Sequence, residues 1–197
     1  MGEHYFSETP SAAHETRSFS YRYRGRSLAF ETDAGVFSKA HMDKGTELLL
    51  KAVPEKFGGR ALDLGCGWGA VGVCMASAWP EAEVVMTDIN ERAVELAREN
   101  VGRNRLAAAV TQGDGLSRVE GTFDLIAANP PIRAGKAVVY RLFAESVERL
   151  EAGGELYVVI RKRQGAESAM RVLSELMGEV EVLERGGGFR VIRGKKG

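Results

Sequence analysis

Apolar positions recur along the chain in two alternating rhythms. From residue 61 onward, short apolar runs bounded by Gly, Asp, Asn or Pro read as strands: Ala61–Leu64, Glu83–Thr87, Ala107–Thr111, Phe123–Ala128 and Leu156–Ile160. Between them lie stretches with helical spacing. These are Ala70–Trp79 (ended by Pro80), Glu91–Val101 with Ala93, Val94, Ala97 and Val101 on one face, Ala137–Leu150 leaving through Gly153-Gly154, and Ala166–Met177. Two last strands, Glu179–Leu183 and Phe189–Ile192, flank Gly186-Gly187-Gly188. Repeated strand–helix units imply a mostly parallel sheet covered on both faces. The final pair must run antiparallel, because a parallel crossover takes about a dozen residues or more.

Upstream the rhythm differs. Ser20–Arg24 and Ser27–Thr32 alternate about Gly25 and read as a hairpin. Asp33–Ser38 is a loop, Glu47–Lys51 the body of a helix stopped near Pro54, and Lys56–Gly59 a linker. The expected architecture is therefore α/β: a doubly wound, mostly parallel seven-stranded sheet with a C-terminal antiparallel hairpin and a small N-terminal β-hairpin extension. Residues 1–18 form a polar segment, 19–58 the hairpin and helix packed on the core, and 59–197 the core, one domain overall.

Composition narrows this picture little. A chain of 197 residues buries an adequate core without disulfides or metals. Its 27 basic residues balance its 27 acidic ones, so any electrostatic docking must use local patches. Cys66 and Cys74, with no His or Cys pair nearby, make neither a zinc site nor a disulfide framework. The start of the chain is polar and no apolar run approaches the ~20 residues of a membrane span. A soluble, cytoplasmic protein without a metal is expected.

The chemistry collects where predicted strands end, the edge at which open α/β sheets bind ligands. Ala61–Leu64 runs into Gly65-Cys66-Gly67-Trp68-Gly69, a glycine loop ahead of a helix. Such a loop lets a ligand approach the backbone and offers free N–H groups with a partial positive charge. Asp88 stands 21 positions after Gly67, suited to two ribose hydroxyls, although a helix cap is an alternative role. Asp114 sits between Gly113 and Gly115, and Asn129-Pro130-Pro131-Ile132 closes the fourth strand. The loop alone also satisfies the pattern of nicotinamide enzymes. Asp63, a negative charge beneath the loop, suits an amino group better than a pyrophosphate, and hydride transfer has no use for the Asn-Pro-Pro turn.

Taken together, Asp63–Gly69, Asp88, Gly113-Asp114 and Asn129–Ile132 resemble the motifs of class I S-adenosylmethionine-dependent methyltransferases that act on planar amino nitrogens. Thr32–Ser38 and Asp43–Leu50 are similar to the methyltransferase small domain family, some of whose members methylate guanine N2 in small-subunit ribosomal RNA. The likeness runs from about Phe19 to the C-terminus. It implies a Rossmann-like methyltransferase fold, S-adenosyl-L-methionine as cofactor, and ribosomal RNA or the small ribosomal subunit as partner. It also implies cofactor contacts from Phe37, Ser38, Asp63, Gly65, Cys66, Gly67, Asp88, Ile89, Asp114 and Asn129, and a catalytic turn of Asn129, Pro130, Pro131 and Ile132. Ile132 stands where the family motif often has an aromatic, so apolar contact replaces ring stacking. The Asn129 oxygen and the Pro130 carbonyl would accept both hydrogens of the target amine, the carbonyl being expected free of any nearby N–H.

For RNA, the Arg22 and Arg24 group, interleaved with Tyr21 and Tyr23, offers phosphate contacts and stacking, or else one solvated hairpin face. Arg133 and Lys136 beside the turn, and Arg161-Lys162-Arg163 after the fifth core strand, offer further phosphate contacts. Competing readings are methylation of an adenine or of a glutamine amide, an NAD(P)-dependent oxidoreductase, and a non-catalytic RNA-binding module.

Overall fold

The computed structural model describes residues 16–33 and 41–197. Strands β1 (Thr16–Tyr23) and β2 (Arg26–Asp33) pair antiparallel about Arg24-Gly25, both with positive φ, the backbone a two-residue hairpin requires. Helix α1 (Lys44–Ala52) precedes the main sheet. The remaining elements are β3 (Arg60–Leu64), α2 (Ala70–Ala78), β4 (Glu83–Asp88), α3 (Glu91–Arg103), β5 (Ala109–Gln112), β6 (Phe123–Ala128), α4 (Lys136–Arg149), β7 (Leu150–Arg161), α5 (Ala166–Leu176), β8 (Glu179–Gly186) and β9 (Phe189–Lys195).

The main sheet runs in the order β5-β4-β3-β6-β7-β9-β8. Strands β3 to β7 pair in parallel, while β9 pairs antiparallel with both β7 and β8. Chain order moves outward from β3 to β5 and then returns to β6 on β3's other side. That reversal opens a crevice at the carboxyl ends of β3 and β6.

Successive residues of the central strands feed two cores. Leu125 and Ala127 of β6 face one with Tyr157 and Val159 of β7, under α1, α2 and α3. Ile126 and Ala128 face the other with Val158 and Ile160, under α4 and α5. Period-two alternation between two apolar faces is why these strands read as unbroken apolar runs.

Several boundaries depart from the expectation. Helix α1 begins at Lys44, because the Asp43 side chain caps the amides of Gly45 and Thr46. Strand β7 begins at Leu150, so Gly153-Gly154 lies inside it at a register shift against β6. A Cβ on Gly154 would come within 3.1 Å of the Phe123 carbonyl, which explains the glycine at this bulge. Strands β8 and β9 also extend beyond Leu183 and Ile192.

The N-terminal hairpin docks on α3 by a device the periodicity did not announce. Asn100 of α3 and Asn104, the residue that caps its C-terminus, present their amides to the edge of β2. Asn104 exchanges hydrogen bonds with the N–H and C=O of Ala29 at 2.9 and 2.8 Å. Asn100 does the same with Glu31 at 2.8 and 2.9 Å. The two side chains thus stand in for a neighbouring strand and cover the sheet edge. Phe19 and Phe30 close the junction by packing on Trp68, with ring centroids 5.6 and 5.0 Å away.

Candidate active site

The glycine loop leaves β3 with the amides of Gly65 and Cys66 both donating to Thr87 O, at 2.9 and 3.0 Å, which ties it to the end of β4. Gly65, Gly67 and Gly69 all adopt positive φ. Gly65 is exposed, and a Cβ there would meet nothing within 4 Å, whereas one on Gly69 would press on Ala97 at 3.3 Å. The loop is open toward solvent on one side and fitted against α3 on the other. Cys66 and Trp68 point inward and are buried.

Asp63 is buried beneath this loop and takes a role beyond the one expected. Its Oδ2 accepts the Gly72 N–H at 2.7 Å, satisfying an amide in the first turn of α2 whose own cap, Gly69, has no side chain to do so. Burial pushes its carboxyl up to about 7, against the pull of the Gly72 amide, and the charge of Asp88 adds to the rise. At least one of its oxygens is therefore turned onto the helix.

Asp88 does not cap α3. That cap is Asn90, whose side-chain oxygen accepts the Ala93 N–H at 3.3 Å. Asp88 accepts the Gly67 N–H on Oδ2 at 2.8 Å and the Asn90 N–H on Oδ1 at 2.9 Å. Both oxygens of the carboxylate are thus held by backbone amides. Burial raises its carboxyl, and the amides of Asn90, Gly67 and Ile89 oppose that rise. Ile89 follows at the same edge, its carbonyl accepting from Gln112 Nε2 at 3.2 Å. Asp114 is exposed and bonded to Arg141 at 2.7 Å, and Arg141 also binds Glu145.

At the end of β6, Asn129 is half-buried and Pro130 buried. Pro131 takes φ −74° and ψ 78°, an inverse γ-turn, and so brings the Ile132 N–H to 2.9 Å from the Pro130 carbonyl. The expectation of a carbonyl with no competing N–H is corrected: one lone pair is occupied and one remains. Asn129 Nδ2 donates to Thr46 Oγ1 at 3.1 Å. Ile132 opens a short 3-10 turn, half-buried against the α4–α5 core. Phe37 and Ser38 lie outside the described residues.

The basic groups separate into two kinds. Arg24 is committed to the fold, its guanidinium bonding the carbonyls of Pro54, Glu55 and Val53 at 2.6, 2.9 and 2.9 Å. Tyr23 is buried with its hydroxyl on the Leu50 carbonyl, and Tyr21 packs against the core. Base stacking on Tyr23 is therefore corrected to an anchoring role, while Arg24, exposed, is engaged by those three carbonyls. Arg22 stays exposed on the opposite face of β1. Near the turn, Ile132, Lys136, Lys162, Arg163 and Arg171 line a groove of about 630 Å³, with Arg133 exposed beside it. Arg161 is exposed and stacks over Phe189 at 4.6 Å. Arg171, four residues after Glu167 on α5, lines the same groove although the sequence pattern does not single it out.

The glycine loop after β3, the acidic residue closing β4 and the Asn-Pro-Pro turn closing β6 stand on three adjacent strands of one sheet. A sheet of this order with that site defines an S-adenosylmethionine-dependent methyltransferase. The chain belongs to the methyltransferase small domain family, whose model matches residues 27–193. It is 45% identical to the uncharacterized protein YbxB of Bacillus subtilis over 100% of both chains. It is 35% identical to the ribosomal RNA small subunit methyltransferase C of Haemophilus influenzae, over 96% of this chain and 59% of that one. Among solved structures it is similar to a 16S rRNA N2 methyltransferase of T. thermophilus (RsmC) in complex with AdoMet and guanosine, with a TM-score of 0.83 and 28% identity. That match covers 92% of this chain and 50% of the other, so this chain spans between half and three fifths of those two relatives' length.

Proposed function

We propose that the protein transfers a methyl group to the exocyclic N2 amine of a guanine in small-subunit ribosomal RNA. The observation that carries this reading is the pair of acceptors beside the glycine loop, the Asn129 side-chain oxygen and the remaining lone pair of the Pro130 carbonyl. An amine conjugated to a purine ring is a poor nucleophile because its lone pair is delocalised. Two acceptors that bind both N–H groups favour a pyramidal nitrogen and turn its lone pair out of the ring plane. Their contribution is alignment and charge complementarity. The proton shed after transfer leaves to water, so no strong base is needed.

The residues present fit the cofactor. Asp88 presents a carboxylate at the end of β4, which suits ribose hydroxyls as donors and would repel a phosphate. Gly65 leaves open space above the loop where a side chain would intrude. Bound there, S-adenosylmethionine supplies an electrophilic methyl carbon. Asp63, Cys66, Gly67 and Ile89 would build the cradle, and Asp114 with its Arg141 partner would stand toward the adenine. The 16S rRNA on which the T. thermophilus neighbour acts supports RNA as the acceptor. Phosphates would lie along the groove of Lys136, Lys162, Arg163 and Arg171, with Arg133, Arg161 and Arg22 at its margins.

The test is transfer of a labelled methyl to small ribosomal subunits and to their isolated RNA, followed by nucleoside mass spectrometry. N2-methylguanosine is expected, and its absence among labelled products overturns the assignment. In the same assay Asn129→Ala should lower turnover by roughly 10²-fold or more while S-adenosylhomocysteine binds within a few-fold of wild type. Near-normal turnover of that variant would exclude the two-acceptor mechanism.

A further inference from the structure

The Asn129 amide is not left to choose its own orientation. Its Nδ2 lies 3.1 Å from Oγ1 of Thr46, which is buried in the first turn of α1. The Thr46 hydroxyl in turn donates to Asp43 Oδ2, while Oδ1 of the same carboxylate accepts the amides of Gly45 and Thr46 at 2.9 and 3.2 Å. This chain of bonds has a direction. A carboxylate only accepts, so the hydroxyl hydrogen is spent on Asp43 and Thr46 Oγ1 faces Asn129 as an acceptor. Only the NH2 end of Asn129 satisfies it. Turning the amide over would set two oxygens against each other with no hydrogen between them, in a buried place.

We infer that Asp43 and Thr46 are positioning residues: a one-way hydrogen-bond relay from the cap of α1 holds Asn129 with its oxygen, not its nitrogen, toward the target amine. The inference rests on the proposed role of Asn129 as an acceptor. It assigns to α1 a task in the reaction that its amphipathic pattern does not reveal. The helix is itself fixed over β9, where a Cβ on Gly45 would meet the Phe189 ring at 2.9 Å. Thr46 is therefore held from below while it holds Asn129.

The test uses the full chain saturated with S-adenosylhomocysteine, reading the Asn129 side-chain NH2 signals in 15N–1H spectra, assigned by their loss in Asn129→Ala. Wild type and Thr46→Ser should show one Nδ2 proton shifted downfield and slowed in exchange, and Thr46→Val should lose both features. Asp43→Asn keeps an acceptor for the α1 cap but can donate to Thr46, which lets the relay reverse. It should therefore also disturb the Asn129 signals without unfolding the helix, and it stands in if Thr46→Val does not fold. In methyl transfer to ribosomal subunits, Thr46→Val should lower kcat at least tenfold with KM for the cofactor within about threefold, and Thr46→Ser should recover most of the loss. In an Asn129→Ala background Thr46→Val should have no further effect. Unmoved Asn129 signals in both Thr46→Val and Asp43→Asn, or an equal kcat loss from Thr46→Val with and without Asn129, would overturn the relay. Full turnover by Asn129→Ala alone would instead remove the acceptor role on which the relay's function depends.

Discussion

Asn100 offers the sharpest test of how the N-terminal hairpin is held. Its side chain is fully buried and makes three bonds: Oδ1 accepts from Glu31 N–H at 2.8 Å, and Nδ2 donates to Glu31 O at 2.9 Å and to Trp68 O at 2.8 Å. Asn100→Ala removes all three and strands their backbone partners. A hydrogen bond is worth about 1 kcal/mol net, and a buried polar group left unpaired costs about 1–3 kcal/mol. Glu31 lies near the surface, where water takes over part of its loss, whereas the Trp68 carbonyl is enclosed. The sum is about 3 kcal/mol. At about 2–4 °C per kcal/mol for a chain of this size, Tm should fall by roughly 6–12 °C. Urea unfolding should show a lower midpoint at an unchanged slope, since the same surface is exposed. The internal control is Asn104→Ala, which removes exposed bonds to Ala29 and one part-buried bond to the Asn100 carbonyl, and should cost about 1–2 kcal/mol. A loss under 1 kcal/mol for Asn100→Ala, or equal losses for the two, would refute the view that the buried asparagine clamps the hairpin to the glycine loop.

Asp63 carries a pH signature: its folded carboxyl titrates at about 7, above its ordinary value, so the folded state holds the extra proton between about pH 4 and 7. The stability it adds is complete below that window and is lost as pH rises through 7; the Tm of Asp63→Asn relative to wild type should climb from pH 4 to 8, by the equivalent of a few kcal/mol, and a flat difference would contradict the burial argument. Arg24→Ala should lower stability by about 1–2 kcal/mol through loss of the three carbonyl contacts while leaving RNA affinity unchanged in a salt titration. Single alanine substitutions of Lys162, Arg163 or Arg171 should each reduce the slope of log affinity against log salt by about 1 with little change in Tm, which separates groove cations from the hairpin anchor.

What the sequence disclosed follows from locality. Asp88 and Asn129 were legible because they end buried strands, and strand ends at one edge of a parallel sheet converge whatever the rest of the chain does. The glycine loop was legible because positive φ is written in residue type. The hairpin was legible as a hairpin, but its inward face was not. Alternation of Tyr and Arg marks two faces without saying which meets the core, and Tyr23 is buried where base stacking was expected. Roles set by distant carbonyls were also hidden. Arg24 reaches Pro54, and Asn100 reaches Trp68 and Glu31, contacts that only the assembled fold creates. The Pro130 carbonyl was misread for a subtler reason. Proline removes its own N–H, but the turn it starts delivers the N–H of Ile132 instead.

The glycine loop is held through its own backbone groups, which leaves its side chains to serve the core. Its amides at Gly65 and Cys66 are fixed to Thr87, its amide at Gly67 to Asp88, and its carbonyl at Trp68 to Asn100. The Trp68 ring then packs edge-on against the stacked pair Phe19 and Phe30, so the aromatic residue in an apparently cofactor-facing motif is the joint through which the hairpin leans on the loop. Cys66 is buried, and burial together with the charges of Asp88 and Asp63 pushes its thiol well above the ordinary range, which rules it out as a nucleophile. Three separate stretches of chain, the hairpin, β4 and α3, thus converge on five loop residues. The Asn129 turn is fixed independently, through Thr46 and α1. The glycine loop and the Asn129 turn are therefore held by separate contacts on neighbouring strands, so a change that loosens one should leave the other to be measured intact.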